Sequence, residues 1–208
     1  MTEDEARSWL VARNVPRETF DAIERFIAFL RIQSTAQNLI AASTLDAIWA
    51  RHIVDSAQLL DLAPDWNTWL DLGSGAGFPG LIVALLSEGR KVTLVESRAK
   101  RIAFLQGAAL TAGIVDRVEI IGSALEKMKP RRFDVISARA FAPLDKLLTL
   151  ATPFADKTTR WVLPKGRRAA EELEATHGSW QGVFELVPSV TDSEAAIIVA
   201  TDVTPRKR

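Results

Sequence analysis

Thr68-Trp69-Leu70-Asp71-Leu72-Gly73-Ser74-Gly75-Ala76-Gly77-Phe78-Pro79-Gly80 is the stretch from which the fold is read. An apolar run ends at Asp71. Four glycines follow within eight residues, and Leu81-Ile82-Val83-Ala84-Leu85-Leu86 then opens a helical pattern. The stretch reads as a strand, a tight loop and a helix N-terminus. Glycine reaches positive φ and lets backbone lie against a ligand. Pro79 suits the first turn of the helix that follows. A loop of this kind holds a nucleotide-like cofactor over the end of a sheet.

Around this loop the chain changes rhythm. Residues 1 to about 62 read as helical, with Phe20 to Leu30 at helical spacing and a second helix expected from Leu45 to Leu60. From residue 68 short β-rich runs alternate with helices. Strands are expected at Thr68–Leu72, Lys91–Glu96, Val118–Ile121, Phe133–Ala138, Arg160–Pro164, Gly182–Pro188 and Ala195–Thr201. Helices are expected at Gly80–Glu88, Arg98–Ala112, Leu144–Thr149 and Arg168–His177. That alternation implies an α/β fold, a mostly parallel sheet with helices on both faces. No helix separates the last two strands, so they should form an antiparallel edge hairpin. The expected division is an N-terminal helical extension, 1–62, packed on a core, 63–208.

Composition narrows the function classes. The 208 residues are 48% apolar and 25% charged, which is the globular range. There is no cysteine, which excludes disulfides, thiolate metal sites and cysteine nucleophiles. With only His52 and His177 as histidines, no metal site is expected. No apolar run approaches the length of a membrane span, and the charged start (Glu3, Asp4, Glu5, Arg7) carries no signal-peptide core, so a soluble cytoplasmic protein is expected. The 26 basic and 26 acidic residues balance. Positive residues nevertheless cluster at Arg98-Lys100-Arg101, Lys127 to Arg132, Lys165-Arg167-Arg168 and Arg206-Lys207-Arg208.

The loop admits two cofactor classes. Gly75-Ala76-Gly77-Phe78-Pro79-Gly80 fits the dinucleotide fingerprint of an NAD-dependent oxidoreductase, with Glu96 placed to take ribose hydroxyls. The wider pattern is Asp71 ending one strand, the Gly73-x-Gly75-x-Gly77 run, and Glu96 ending the next strand. It resembles the first two motifs of class I S-adenosylmethionine-dependent methyltransferases. There a carboxylate can accept both hydroxyls of a ribose diol. A third reading keeps the shell without the chemistry, as an RNA-binding assembly module.

Further residues single out one family. In order they are Gln37-Asn38-Leu39-Ile40, Arg51-His52-Ile53-Val54-Asp55-Ser56, the loop with its proline, Glu96 to Leu105, Phe133 to Ala142 including Arg139-Ala140-Phe141-Ala142, and Leu163-Pro164-Lys165-Gly166. This series closely resembles the bacterial RsmG (GidB) family, over about residues 20 to 200. The resemblance implies a class I methyltransferase (Rossmann-like) sheet. It implies methyl transfer from S-adenosylmethionine to N7 of a guanine in 16S ribosomal RNA, free or in an assembling small subunit; apart from the resemblance, a monomer is expected.

The resemblance also implies residue roles. Asp71, Gly73, Ser74, Gly75, Gly77 and Phe78 would line the methionine and sulfonium part of the cofactor site. Glu96 and Ser97 would flank the ribose, and Ala124, Leu125 and Glu126 the adenine. Arg139 would face the transfer cleft and also contact the cofactor, with Arg139 and Phe141 as catalytic residues that clamp the base together with Phe78. Arg98, Lys100, Arg101, Lys165, Arg167 and Arg168 would hold RNA phosphates. Guanine N7 carries a lone pair and no proton, so no general base is required and alignment should carry the catalysis. His52, in an apolar helical setting, is expected to be packed rather than catalytic.

Overall fold

The protein is described from a computed structural model that covers residues 1–206. Lys207 and Arg208 of the C-terminal basic cluster lie outside the described residues. Strands β1 (Thr68–Leu72), β2 (Lys91–Val95), β3 (Val118–Ile121), β4 (Val135–Ala138), β5 (Arg160–Lys165), β6 (Trp180–Pro188) and β7 (Ala196–Pro205) form one sheet in the order β3-β2-β1-β4-β5-β7-β6. The pairings β3-β2-β1-β4-β5 are parallel, and β7 runs antiparallel to both β5 and β6. The expected parallel sheet with an antiparallel edge hairpin is therefore present. Loops that leave the parallel strands at their C-terminal ends gather on one edge, and the order reverses at β1, from which β2 and β4 diverge. Ligands bind at such a switch point.

Strands buried on both faces read as unbroken apolar runs, because both sets of alternating side chains meet a core. Trp69, Leu94, Val135, Val162 and Val199 point to one layer and Leu70, Leu72, Ile136, Trp161 and Leu163 to the other. The first layer is covered by α1 (Glu3–Val11), α2 (Arg17–Ser34), α4 (Gly80–Leu85) and α5 (Ala99–Ala112), the second by α6 (Leu144–Ala151). Residues of the N-terminal region and of the α/β region share the first layer, with Phe26 edge-on to Phe78 and Phe29 stacked on Phe104.

The helix expected over Leu45–Leu60 is not a regular α-helix. Residues Trp49–Val54 form a π-helical turn, followed by α3 (Asp55–Ala57) and a 3-10 turn at Gln58–Leu60. Apolar spacing does not report this local geometry, which recurs at functional sites. Its first donors are met from far away in sequence: Glu3 of α1 accepts the N–H groups of Trp49 (3.1 Å) and Ala50 (2.9 Å). α1 is itself fixed by a capping box between Thr2 and Glu5. Among the described residues no helix is long and apolar enough to cross a membrane.

Candidate active site

The loop after β1 is built from its carboxylate upward. Trp69, Asp71 and Ser137 share a sheet face, with Asp71 and Ser137 in register across β1 and β4. Trp69 Nε1 donates to Ser137 Oγ (2.8 Å), and Ser137 Oγ donates to Asp71 Oδ1 (2.8 Å). Asp71 Oδ2 accepts the N–H of Gly80 at the start of α4 (3.3 Å). Burial raises the Asp71 carboxyl to about 6, against the pull of these hydrogen bonds. Asp71 thus shapes the loop from beneath instead of opening onto the cleft. Ser74 differs in the same way: it is buried and donates Oγ to Asp71 O. Gly77 faces Leu81, since a Cβ there would lie 2.3 Å from Leu81 Cδ1.

Glu96 sits where the sequence puts it, at the end of β2 beneath the loop. Its carboxylate accepts three backbone N–H groups, from Gly75 (3.2 Å), Ser97 (2.7 Å) and Arg98 (2.9 Å), with Arg101 Nη1 at 3.8 Å. The carboxylate borders a cavity of about 390 Å³. Gly73, Glu96 and Ser97 line it on one side and Ala124, Leu125 and Glu126 on the other, with Arg98 and Arg101 also in its wall. The cavity offers a carboxylate that can accept from hydroxyl groups, together with loop backbone and apolar side chains, which suits an adenosyl amino acid. Gly75 has φ +55 and no side chain or backbone pressed against it: a Cβ there would have Arg101 Nη1 at 3.4 Å as its nearest neighbour. Gly75 itself is buried and does not line the cavity; its N–H is held by Glu96, and Gly73 is the glycine of the loop that borders the space.

A second cavity, of about 660 Å³, lies on the other side of residues 140–142. Arg139, His52, Asp55, Lys165 and Glu172 are among its lining residues. Ala140, Phe141 and Ala142 line both cavities and are the wall between them. Ala140 has φ +52, a conformation that costs a non-glycine residue free energy and occurs at functional sites. Phe141 packs directly on Gly73, whose Cβ, were there one, would lie 2.6 Å from the ring.

Arg139 is held by groups of the N-terminal region. Asp55 Oδ2 accepts from Nη1 at 3.2 Å and His52 Nδ1 from Nη2 at 3.0 Å. The acidic partner of Arg139 is Asp55, 84 positions away in sequence. Burial lowers the Arg139 pKa and the Asp55 carboxylate opposes that shift. Phe78 is not available as a base clamp. It is buried beneath His52, with the two rings stacked at 4.8 Å, and the Arg139 guanidinium carbon lies 5.1 Å from its centroid.

His52 is packed, as expected, and its tautomer is fixed by its partners. Arg139 can only donate, so Nδ1 is unprotonated, while Nε2–H donates to Thr44 Oγ1 (2.8 Å), whose own proton goes to Ala41 O. Burial lowers the His52 pKa from 6.5 to about 3, and the charges of Arg139 and Arg51 add to the shift. The unfolded chain therefore takes up this proton first as pH falls. Stability from His52 is complete above 6.5 and is lost progressively between 6.5 and 3. His52→Gln should gain stability relative to the wild type by about 1.4 kcal/mol for each pH unit below 6.5. Urea unfolding of both proteins at pH 7.5 and 5 measures this, and a constant difference between them would contradict it.

The basic residues divide. Arg98 and Arg101 border the first cavity and Lys100 is exposed on α5 beside them. Arg167 and Arg168 are exposed, their side chains 77% accessible, and pair with Glu194 (3.4 Å) and Glu171 (3.1 Å). Lys165 differs from the expectation: its side chain is only 11% accessible and pairs with Glu172 at 2.8 Å. Among the described residues no group of three His, Cys, Asp or Glu is placed to hold a metal ion.

A sequence profile described as rRNA small subunit methyltransferase G matches residues 19–196. The chain belongs to this family. It is 56% identical to the ribosomal RNA small subunit methyltransferase G of Rhizorhabdus wittichii, over 99% of this chain and 95% of that protein. It is 51% identical to the protein of the same name from Zymomonas mobilis, over 100% of this chain and 97% of that protein. The fold is similar to that of a Bacillus cereus O-methyltransferase solved with adenosylhomocysteine, at TM-score 0.61 and 14% identity, covering 86% of this chain and 90% of that one. Membership of the G family sets aside the NAD-dependent oxidoreductase and the non-catalytic assembly module. The motif Arg51 to Ser56 carries no assigned role in the sequence, yet it holds the three partners of Arg139: Arg51 through its carbonyl, His52 and Asp55.

Proposed function

We propose that this small-subunit rRNA methyltransferase modifies N7 of a guanine in 16S ribosomal RNA. The observation that carries the reading is the pair of cavities that share the wall Ala140–Ala142, one beside Glu96 and the glycine loop, the other beside Arg139. S-adenosylmethionine, the methyl donor, supplies a methyl group made electrophilic by its sulfonium. Glu96 is placed to accept from ribose hydroxyls, with Ala124 and Leu125 against the adenine. Arg139 donates to the acceptor base. Guanine presents O6 and N7 side by side as acceptors on its major-groove edge. A guanidinium held by Asp55 and His52 can bond O6 and leave the N7 lone pair free. No group need take a proton from N7, and none in this cavity is a free base: His52 is committed at both ring nitrogens and Asp55 to Arg139. Positive charge grows on the purine during transfer; Asp55 and Glu172 balance the charges of Arg139 and Lys165 at the cavity, so these cations add no net repulsion to it.

Arg98, Lys100, Arg101, Arg167 and Arg168 are the candidates for RNA phosphates. One chain completes both cavities, so a cytoplasmic monomer acting on 16S RNA or the assembling subunit suffices. Incubating 16S RNA with labelled donor, then digesting it and identifying the modified nucleoside by mass spectrometry, tests the reading. N7-methylguanine at one position is expected. Label on another base, or on ribose, would overturn it.

A further inference from the structure

We propose that Lys165 and Glu172 are positioning residues that hold the wall between the two cavities and so set the alignment of donor and acceptor. The catalytic part of this rests on the function proposed above. The wall is a single stretch of three consecutive residues, and it begins at Ala140 in a left-handed conformation that its own sequence does not favour. Something must hold it, and the hydrogen bonds at its far end show what. Lys165 Nζ donates to Ala142 O (3.3 Å) and to Glu172 Oε2 (2.8 Å). The same Glu172 oxygen accepts the N–H of Leu144 (3.1 Å). The pair therefore grips the peptides on both sides of Pro143, which starts α6 without a side-chain cap.

Three elements meet here: the last residue of β5, α7 (Ala169–Thr176) and the start of α6. The pair is sheltered, at 11% and 29% side-chain exposure, while Arg167 and Arg168, two and three residues on, stand 77% exposed. A sheltered ion pair adds little net stability over apolar residues of the same volume. What it adds here is a defined geometry at two backbone groups that apolar side chains cannot bond. Lys165 thus acts on the wall, and the exposed arginines beyond it are left to the phosphates.

The test uses the full chain with Lys165→Met, Lys165→Arg, and Lys165→Met combined with Glu172→Met. Amide exchange reads the wall without any substrate. Faster exchange at the Leu144 N–H, which is bonded to the Glu172 carboxylate that Lys165 holds, with the rest of the sheet unchanged, is expected for Lys165→Met. Unchanged exchange there would overturn the proposal. In methyl transfer at saturating RNA and donor, Lys165→Met should lower kcat by about tenfold or more, as misalignment does. Adenosylhomocysteine affinity should fall by less than kcat does, since Glu96 and the glycine loop are untouched while the wall borders both cavities, and Lys165→Arg should restore most of the rate. The double apolar variant should regain thermal stability without regaining kcat. If kcat returned together with Tm, the pair would be structural only. A fall of about 0.7 to 0.9 in the log–log salt slope of RNA binding for Lys165→Met would show a phosphate contact and would also overturn the proposal. A wild-type protein inactive on 16S RNA would defeat the functional reading, and the exchange result would still decide for or against the wall.

Discussion

Arg139→Ala is expected to lower kcat/KM for methyl transfer to ribosomal RNA by about 100-fold or more, a loss of roughly 2.7 kcal/mol of transition-state stabilisation. Adenosylhomocysteine affinity should stay at the wild-type value, because Arg139 lines the acceptor cavity and not the one beside Glu96. The expected size follows from what the side chain does. A guanidinium fixed by Asp55 and His52 gives the base a donor at a set position, and a displacement of about 1 Å between reacting groups can cost 10²-fold. Arg139→Lys should recover little. An ammonium cannot bond Asp55, His52 and a base from one rigid plane. Asp55→Asn should give a smaller loss, since the amide oxygen can still accept from Arg139 while the charge that opposes the effect of burial is gone. Steady-state kinetics on the three variants, with calorimetry for adenosylhomocysteine, would check this. Wild-type turnover in Arg139→Ala would show that the acceptor base is held elsewhere.

Arg139 also marks where sequence reasoning reached its limit. The central strands were legible because they are short runs buried on both faces, and the half-exposed edge strand β3 because turn residues bound it; β1 and β3 begin and end where the sequence puts them. Glu96 was legible because its job is local: it accepts N–H groups from residues 75, 97 and 98. Arg139 itself was legible as the residue after β4, but its partners were not. Asp55 and His52 come from the π-helical turn and the residue after it, and they meet Arg139 only when the N-terminal helices pack on the sheet. Asp71 and Phe78 were misread for a related reason. Both belong to the loop motif, and a motif does not reveal which of its side chains turn inward. Asp71 turns toward Ser137 and Gly80, and Phe78 toward Phe26 and His52. Lys165 reads as surface charge beside Arg167 and Arg168, until the fold brings α7 and the start of α6 against it.

Glu96→Ala should weaken adenosylhomocysteine binding by about 2–3 kcal/mol, roughly 30- to 150-fold, from the worth of hydrogen bonds to a charged group. The geometry makes the loss more than that of a ribose contact. A carboxylate offers about four lone-pair positions. Three are taken by the N–H groups of Gly75, Ser97 and Arg98, so one is free for a ribose hydroxyl. A second hydroxyl must share with the Gly75 N–H, whose bond is the longest of the three at 3.2 Å. Donor binding and loop geometry are therefore coupled through one side chain. Removing it loses the ribose and releases the loop at Gly75 together. Glu96→Gln should be nearly as weak, because one carboxylate oxygen becomes an NH₂ that faces donors. Calorimetry on both variants decides, with Arg167→Gln as a reference that should bind adenosylhomocysteine as the wild type does, since Arg167 pairs with Glu194 far from this cavity. Unchanged affinity in Glu96→Ala would mean that the carboxylate serves the loop alone, and that the ribose is held by another group.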